Sequence, residues 1–156
     1  MTPTETQEQL SARISEALEA AFPDIALEMQ PLPKQDISIT LPPEKLEAVV
    51  AILIETFDFY HLSTITGVDN GETIEILYHF WNRYGVTLRV HLPYDAPHVP
   101  ALTPTIPGAA FYEREIREML GVVFEGLPEE GPLLLADDWE AGLPLRKISK
   151  QEKEAV

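Results

Sequence analysis

The chain has 156 residues, with 26 acidic against 11 basic side chains and a formal net charge of −15. That length suits one domain, large enough to bury roughly 70% of its unfolded surface. A field of this sign repels phosphate backbones and anionic lipid headgroups, so nucleic acid is excluded as a partner class.

There is no cysteine. Iron–sulfur ligation, disulfides, thiolate zinc sites and cysteine nucleophiles are therefore not available to this chain. No apolar run approaches the roughly 20 residues of a membrane helix, and the first residues lack the basic and apolar regions of a signal peptide. The expectation is a soluble cytoplasmic protein with no direct membrane insertion. The acidic balance reads first as solubility, with a basic partner surface as the alternative.

In chain order, Thr2, Pro3 and Glu5 predict an N-cap, first helical residue and capping box. Leu10, Ile14, Ala17, Leu18 and Ala21 recur on one helical face as far as Phe22, where Pro23 ends the element. Ile25 to Met29 and Ile37 to Leu41 alternate apolar and polar residues and predict two strands that pair. Pro42 and Pro43 then open a second helix, whose Leu46, Val49, Val50, Leu53, Ile54 and Phe57 form a face suited to covering a sheet.

Leu62 to Pro93 reads as a three-stranded meander. A two-residue turn at Asn70-Gly71 pairs Gly67 with Ile74 and Ile65 with Ile76, while a loop from Trp81 to Gly85 pairs Phe80 with Val86, Tyr78 with Leu88 and Ile76 with Val90. The apolar set then shares one face. Thr66, Glu75, His79, Thr87, Arg89 and His91 fall on the other, with Glu75 opposite His91. Five prolines between Leu92 and Gly108 predict an extended connection rather than a central strand or helix.

Tyr112, Ile116, Met119 and Leu120 share a helical face, and Gly121 supplies the left-handed residue that ends the helix. Glu113/Arg117 and Arg114/Glu118 stand four apart, which predicts surface ion pairs. Val122 to Lys147 carries apolar patches but is broken by glycine and proline too often to build a core, so it must lie on something else. The fold class is thus α/β, a single domain with a mixed or mainly antiparallel sheet covered by helices. Residues 1–121 form the body, and 122–156 an extended C-terminal arm whose shape a partner is expected to set.

No constellation forms a closed catalytic set. Glu113 and Glu115 diverge by about 200° around a helix, too far apart to share a substrate. His79 and His91 lie on an open sheet face, and His61 and His98 lie elsewhere. Asp69-Asn70-Gly71 is turn chemistry without the further ligands of a calcium loop. Asp137 and Asp138 lack a third acidic neighbour at metal spacing, and no phosphate loop, nucleophile elbow or dinucleotide fingerprint occurs. Two alternatives stand beside a docking subunit: a freestanding acidic adaptor, and a small enzyme using the polar face around His79, Arg89 and His91. Pro144-Leu145-Arg146-Lys147 is a basic spot that reads either as solvated cations on a frayed tail or as a docking element, since arginine forks match carboxylates and carbonyls.

The blocks Glu113-Arg114-Glu115, Gly121, Phe124-Glu125-Gly126-Leu127-Pro128, Leu134-Leu135, Asp137 and Gly142-Leu143-Pro144-Leu145-Arg146-Lys147 resemble the signature of the 30 kDa (C) subunit of respiratory complex I. The same subunit type occurs in energy-converting membrane-bound [NiFe] hydrogenases. Members of the quinone-reducing type usually carry Gly-His-Pro where this chain has Leu127 and Leu143, and Asp-Phe-Pro where it has Ile148-Ser149-Lys150, which tilts the reading toward the hydrogenase-like or archaeal-type branch. The resemblance implies a non-catalytic assembly subunit of the peripheral electron-transfer arm, on the cytoplasmic side of the membrane. It implies docking on a 49 kDa-like or hydrogenase-like large subunit through Glu113, Arg114, Glu115, Gly121, Phe124, Pro128, Asp137, Pro144, Leu145, Arg146 and Lys147. No cofactor is expected in this chain; iron–sulfur clusters and flavin or nickel–iron are expected in its partners.

Overall fold

The computed structural model describes residues 6–25, 27–32 and 36–147. Helix α1 (Gln7–Ala21) starts at Thr6, whose Oγ1 accepts from the Gln9 N–H at 3.3 Å while the Gln9 side chain accepts from the Thr6 N–H at 2.9 Å. The capping box lies four residues later than the one read from Thr2 to Glu5, which are outside the described residues. A second box in the same short stretch carries the same chemistry. Leu10, Ile14 and Leu18 are buried, while Ala21 is exposed.

Strand β1 (Glu28–Pro31) begins three residues after the expected Ile25, because Pro23 to Ile25 form a turn. It pairs antiparallel with β2 (Ile37–Thr40). A 3-10 turn at Pro43–Lys45 leads into α2 (Leu46–Phe57), whose Leu46, Val49, Val50, Leu53 and Phe57 are all buried. Proline fixes φ at a value that suits the turn and lacks the N–H that a first helical turn leaves unbonded.

The meander is β3 (His61–Asp69), β4 (Thr73–Asn82) and β5 (Tyr84–Pro93). It joins the first two strands in a five-stranded sheet of order β1-β2-β5-β4-β3, antiparallel except for the parallel β2–β5 pair. The second hairpin has the register expected, Phe80 with Val86, Tyr78 with Leu88 and Ile76 with Val90, though pairing continues into the expected loop as far as Asn82 and Tyr84. The first is shifted by two residues, so that Ile65 faces Tyr78 and Gly67 faces Ile76. The reason is local: Asn70 Oδ1 accepts from the N–H groups of Glu72 and Thr73, which lengthens the turn. A shift of two leaves every side chain on its expected face.

One face of the sheet is the core, with Ile37, Ile39, Ile74, Ile76, Tyr78, Phe80, Val86, Leu88, Val90 and Leu92 buried. Helix α3 (Ala109–Leu120) lies over β3 on this face, with Ile116 and Leu120 buried and Tyr112 and Met119 packed beside them. Gly67 permits that approach, since a Cβ there would stand 2.6 Å from Leu120 Cδ1 and 3.1 Å from Ile116 Cγ2.

The proline-rich connection contains a short strand, β6 (His98–Pro100), which pairs in parallel with β7 (Val123–Glu125). The extended shape agrees with the prolines. The pairing partner, twenty-odd residues away, has no local signal.

Candidate partner interface

Residues 122–147 are fixed by side chains of α3 and of the β3–β4 hairpin. Helix α3 ends at Gly121, with φ 73° and its N–H on the Arg117 carbonyl. Val122 and Phe124 return to the core, and the Ala101 N–H donates to the Glu125 carbonyl, so the first turns of the arm are part of the body. Beyond Leu127 the chain buries little, and polar bonds hold it.

Glu113 does not sit on a charged surface paired with Arg117. It is fully buried, accepting from the Leu102 N–H at 2.5 Å and from the Thr103 hydroxyl at 2.6 Å. Burial raises its pKa, and these bonds partly offset the rise. Local spacing favoured Arg117, but unbonded amides of the 101–106 loop take the carboxylate instead. Glu113 thus holds the loop next to β6, on which β7 lies.

Arg114 likewise reaches the arm rather than Glu118. It pairs with Glu130 at 2.6 Å and donates to the Gly131 carbonyl at 3.1 Å, while Arg117 donates to the Glu130 carbonyl at 3.4 Å. Glu118 receives three successive N–H groups, from Leu133, from Leu134 at 2.8 Å and from Leu135 at 3.1 Å. Desolvation pushes its pKa up, but the three N–H donors and Arg117 outweigh it and hold the carboxyl below its usual range.

The far end of the arm closes on Asp69. Its Oδ2 accepts from the Lys147 N–H at 2.7 Å and its Oδ1 from the Gly71 N–H at 2.8 Å; the Tyr94 hydroxyl lies 3.0 Å from Oδ2 and close to the Lys147 carbonyl. Arg146 donates to the Tyr94 carbonyl at 2.7 Å with its guanidinium 4.2 Å from that ring's centre. Desolvation raises the Asp69 pKa, yet the bonds from Lys147, Gly71 and Tyr94 and the charge of Arg146 leave it lowered. Between these clamps the Leu145 N–H donates to the Met119 carbonyl at 3.0 Å. Leu143 lies against Gly121, where a Cβ would meet it at 2.6 Å.

Of the residues expected to form an interface, Glu113 faces the interior and Phe124 is core. Arg114, Arg146 and Lys147 hold the arm to the body, and Gly121 seats Leu143. Glu115, Pro128, Asp137, Pro144 and Leu145 are exposed. Asp69 reads from the sequence as turn chemistry alone, and neither Tyr94 nor Trp139 belongs to a motif. A tryptophan in an acidic stretch without periodicity was the available signal for the last. The arm turns four large apolar side chains outward: Leu134 is 59% exposed, Leu145 57%, Trp139 45% and Leu143 42%. The Trp139 indole is oriented by its Nε1–H on the Gly142 carbonyl at 2.8 Å. Around these residues stand Glu129, Glu130, Asp137, Asp138 and Glu140, all exposed.

The polar sheet face has the composition expected of it. Glu75 lies 3.0 Å from Arg89 and 3.9 Å from His91, and His79 Nδ1 is 3.0 Å from Thr87 Oγ1. Burial lowers the His79 pKa, against a smaller raising effect of Asp36. Among the described residues no three His, Asp or Glu side chains converge as a metal site would require, and no helix is long and apolar enough to cross a membrane.

These features define an α/β domain with a five-stranded mixed sheet and a tethered C-terminal arm that turns apolar side chains outward. Residues 39–155 match the family described as respiratory-chain NADH dehydrogenase, 30 Kd subunit, and the chain belongs to that family. It is 38% identical to the C subunit of the NADH-quinone oxidoreductase of Roseiflexus castenholzii over 83% of this chain and 78% of that one. It is also 34% identical to formate hydrogenlyase subunit 5 of Escherichia coli, over 92% of this chain but only 26% of that longer protein. The trypsin-resistant fragment of Nqo5 shares the fold, with a TM-score of 0.62 and 25% identity over 76% of this chain and 99% of the fragment. Relatives thus include both a quinone oxidoreductase and a hydrogenlyase subunit.

Proposed function

We propose that the chain is a non-catalytic assembly subunit in the peripheral electron-transfer arm of a complex I-like quinone oxidoreductase or membrane-bound hydrogenase, on the cytoplasmic side. It docks on the large subunit through residues 128–147. The observation that carries this reading is the arm itself. Four large apolar side chains stand exposed on a segment whose backbone is fixed by Glu118 and Asp69, so little ordering entropy remains to be lost when a partner covers them. The acidic residues around them suit a basic rim on the partner. Flavin, iron–sulfur clusters and nickel–iron belong to other subunits in this reading, and membership of the family supports it.

The test is co-purification of the large subunit with the tagged chain. Leu145→Glu together with Trp139→Ala is expected to abolish it while the melting temperature stays within a degree or two, because both side chains face solvent. Deletion after Leu127 should act likewise. A cut at Gly121 would remove the buried Val122 and Phe124 and test folding instead. Undiminished co-purification of the double variant overturns the assignment.

A further inference from the structure

A groove of about 470 Å³ runs between α3 and the arm. One wall is the helix at Arg117 and Glu118. The other is the arm, with Glu129 and Pro132 before the segment that Glu118 anchors and Asp137 and Trp139 after it. Resting on the assignment of residues 128–147 as the docking segment, we propose that this groove receives an arginine side chain of the partner, its guanidinium stacked on the Trp139 indole and held by the carboxylates of Glu129 and Asp137.

The aromatic wall is fixed before any partner arrives. The Trp139 N–H donates to the Ala136 carbonyl at 3.0 Å and closes a turn, and the indole N–H donates to the Gly142 carbonyl at 2.8 Å. Just before that turn, the Leu135 N–H is held by Glu118 at 3.1 Å. With the polar edge of the indole satisfied inside the chain, what remains for a partner is the π-face, which attracts cations and stacks planar ones. A ring held at both backbone and side chain loses little freedom when it is covered.

Four carboxylates line the groove, and two of them are already engaged. Glu118 accepts from three backbone N–H groups, and Glu130 pairs with Arg114 at 2.6 Å. The other two, Glu129 and Asp137, are exposed, and among the described residues neither carboxylate accepts a hydrogen bond or joins an ion pair. The cation of the lining, Arg117, donates to the Glu130 carbonyl at 3.4 Å and stands beside Glu118, whose charge it balances. The field left over at Glu129 and Asp137 is negative, in a chain whose net charge is −15. It favours a cation over a neutral group.

Carboxylates alone would suit any cation, and the indole beside them narrows the choice. Pro132 and Leu135 offer apolar contact to the methylenes that carry a charged head, which serves lysine and arginine alike. Only a guanidinium adds planar stacking and a fork that spans two carboxylates.

The probe is the peptide acetyl-Gly-Leu-Arg-Leu-Gly-amide, titrated into the full chain and followed by NMR at the Trp139 indole N–H and the Leu135 amide. Saturable shifts are expected at both. The same peptide with citrulline, which keeps the shape and loses the charge, should bind about tenfold more weakly, and the lysine peptide about threefold more weakly. Glu129→Gln together with Asp137→Asn should weaken the arginine peptide about tenfold at an unchanged melting temperature, because both side chains are exposed and unpaired. Absence of saturation, equal binding of the arginine and citrulline peptides, or a double variant that binds unchanged would each overturn the proposal. Co-purification separates this failure from that of the docking assignment. If Glu129→Gln with Asp137→Asn retains the large subunit undiminished while Leu145→Glu with Trp139→Ala loses it, docking through the arm stands and the arginine is wrong.

Discussion

The body and the arm of this chain are held by different physics. In the body, Tyr78, Leu88 and their neighbours are removed from water between sheet and helices, and stability comes from apolar area. The arm from Pro128 to Lys147 buries almost nothing. It keeps its course because ionised carboxylates at Glu118 and Asp69 collect backbone N–H groups that have no strand or helix partner. The two regions should therefore yield to different perturbations, which is the behaviour of a stable scaffold carrying a separately fastened arm.

The largest expected effect is in the body. Leu88→Ala opens a cavity at a fully buried site and should lower global stability by about 2–5 kcal/mol, measured by urea denaturation. Glu118→Gln removes the ionised acceptor of three N–H groups. Being near the surface it should cost only about 1–2 kcal/mol, confined to the arm. Hydrogen exchange at Leu133 to Leu135 would then speed up about tenfold while the sheet amides remain unchanged. An equal loss of protection in the sheet would break the comparison and make arm and body one cooperative unit.

Acid should separate the regions more gently. Glu118 and Asp69 have folded pKa values below their unfolded ones, so their contribution is present above about pH 4 and is lost as pH falls through the folded values. Glu113 has the opposite sign. Its folded pKa is raised, so the folded state takes up its proton more readily than the unfolded chain does, and acidification favours the body at this site. On lowering the pH from 7 toward 3, amides of the arm are expected to lose protection before those of β4 and β5. The reverse order would show that the arm carboxylates do not govern acid sensitivity.

What could be read from the residues follows the same division. The meander was legible because alternation constrains facing even where the turn is misjudged, as the shift at Asn70 shows. The apolar face of α3 was legible for the same reason. The charges of α3 were not, because helical spacing names neighbours four residues away, while Glu113, Arg114 and Glu118 bind backbone groups 11 to 17 residues distant. Nothing in a sequence period encodes where an irregular segment passes. The signature blocks fall on α3 and the arm, without revealing that several of their residues serve the chain's own interior.

The bond between Asp69 and Lys147 joins residues 78 positions apart. A ring of that size is closed at an entropic cost that only a preformed sheet end can reduce, since β3 and β4 must first hold Asp69 in place. Clasping of the arm is therefore a late event in the maturation of the chain. The exposed leucines and Trp139 reach their final arrangement only after the sheet is complete, and a molecule that offers them correctly has already certified its own body as folded.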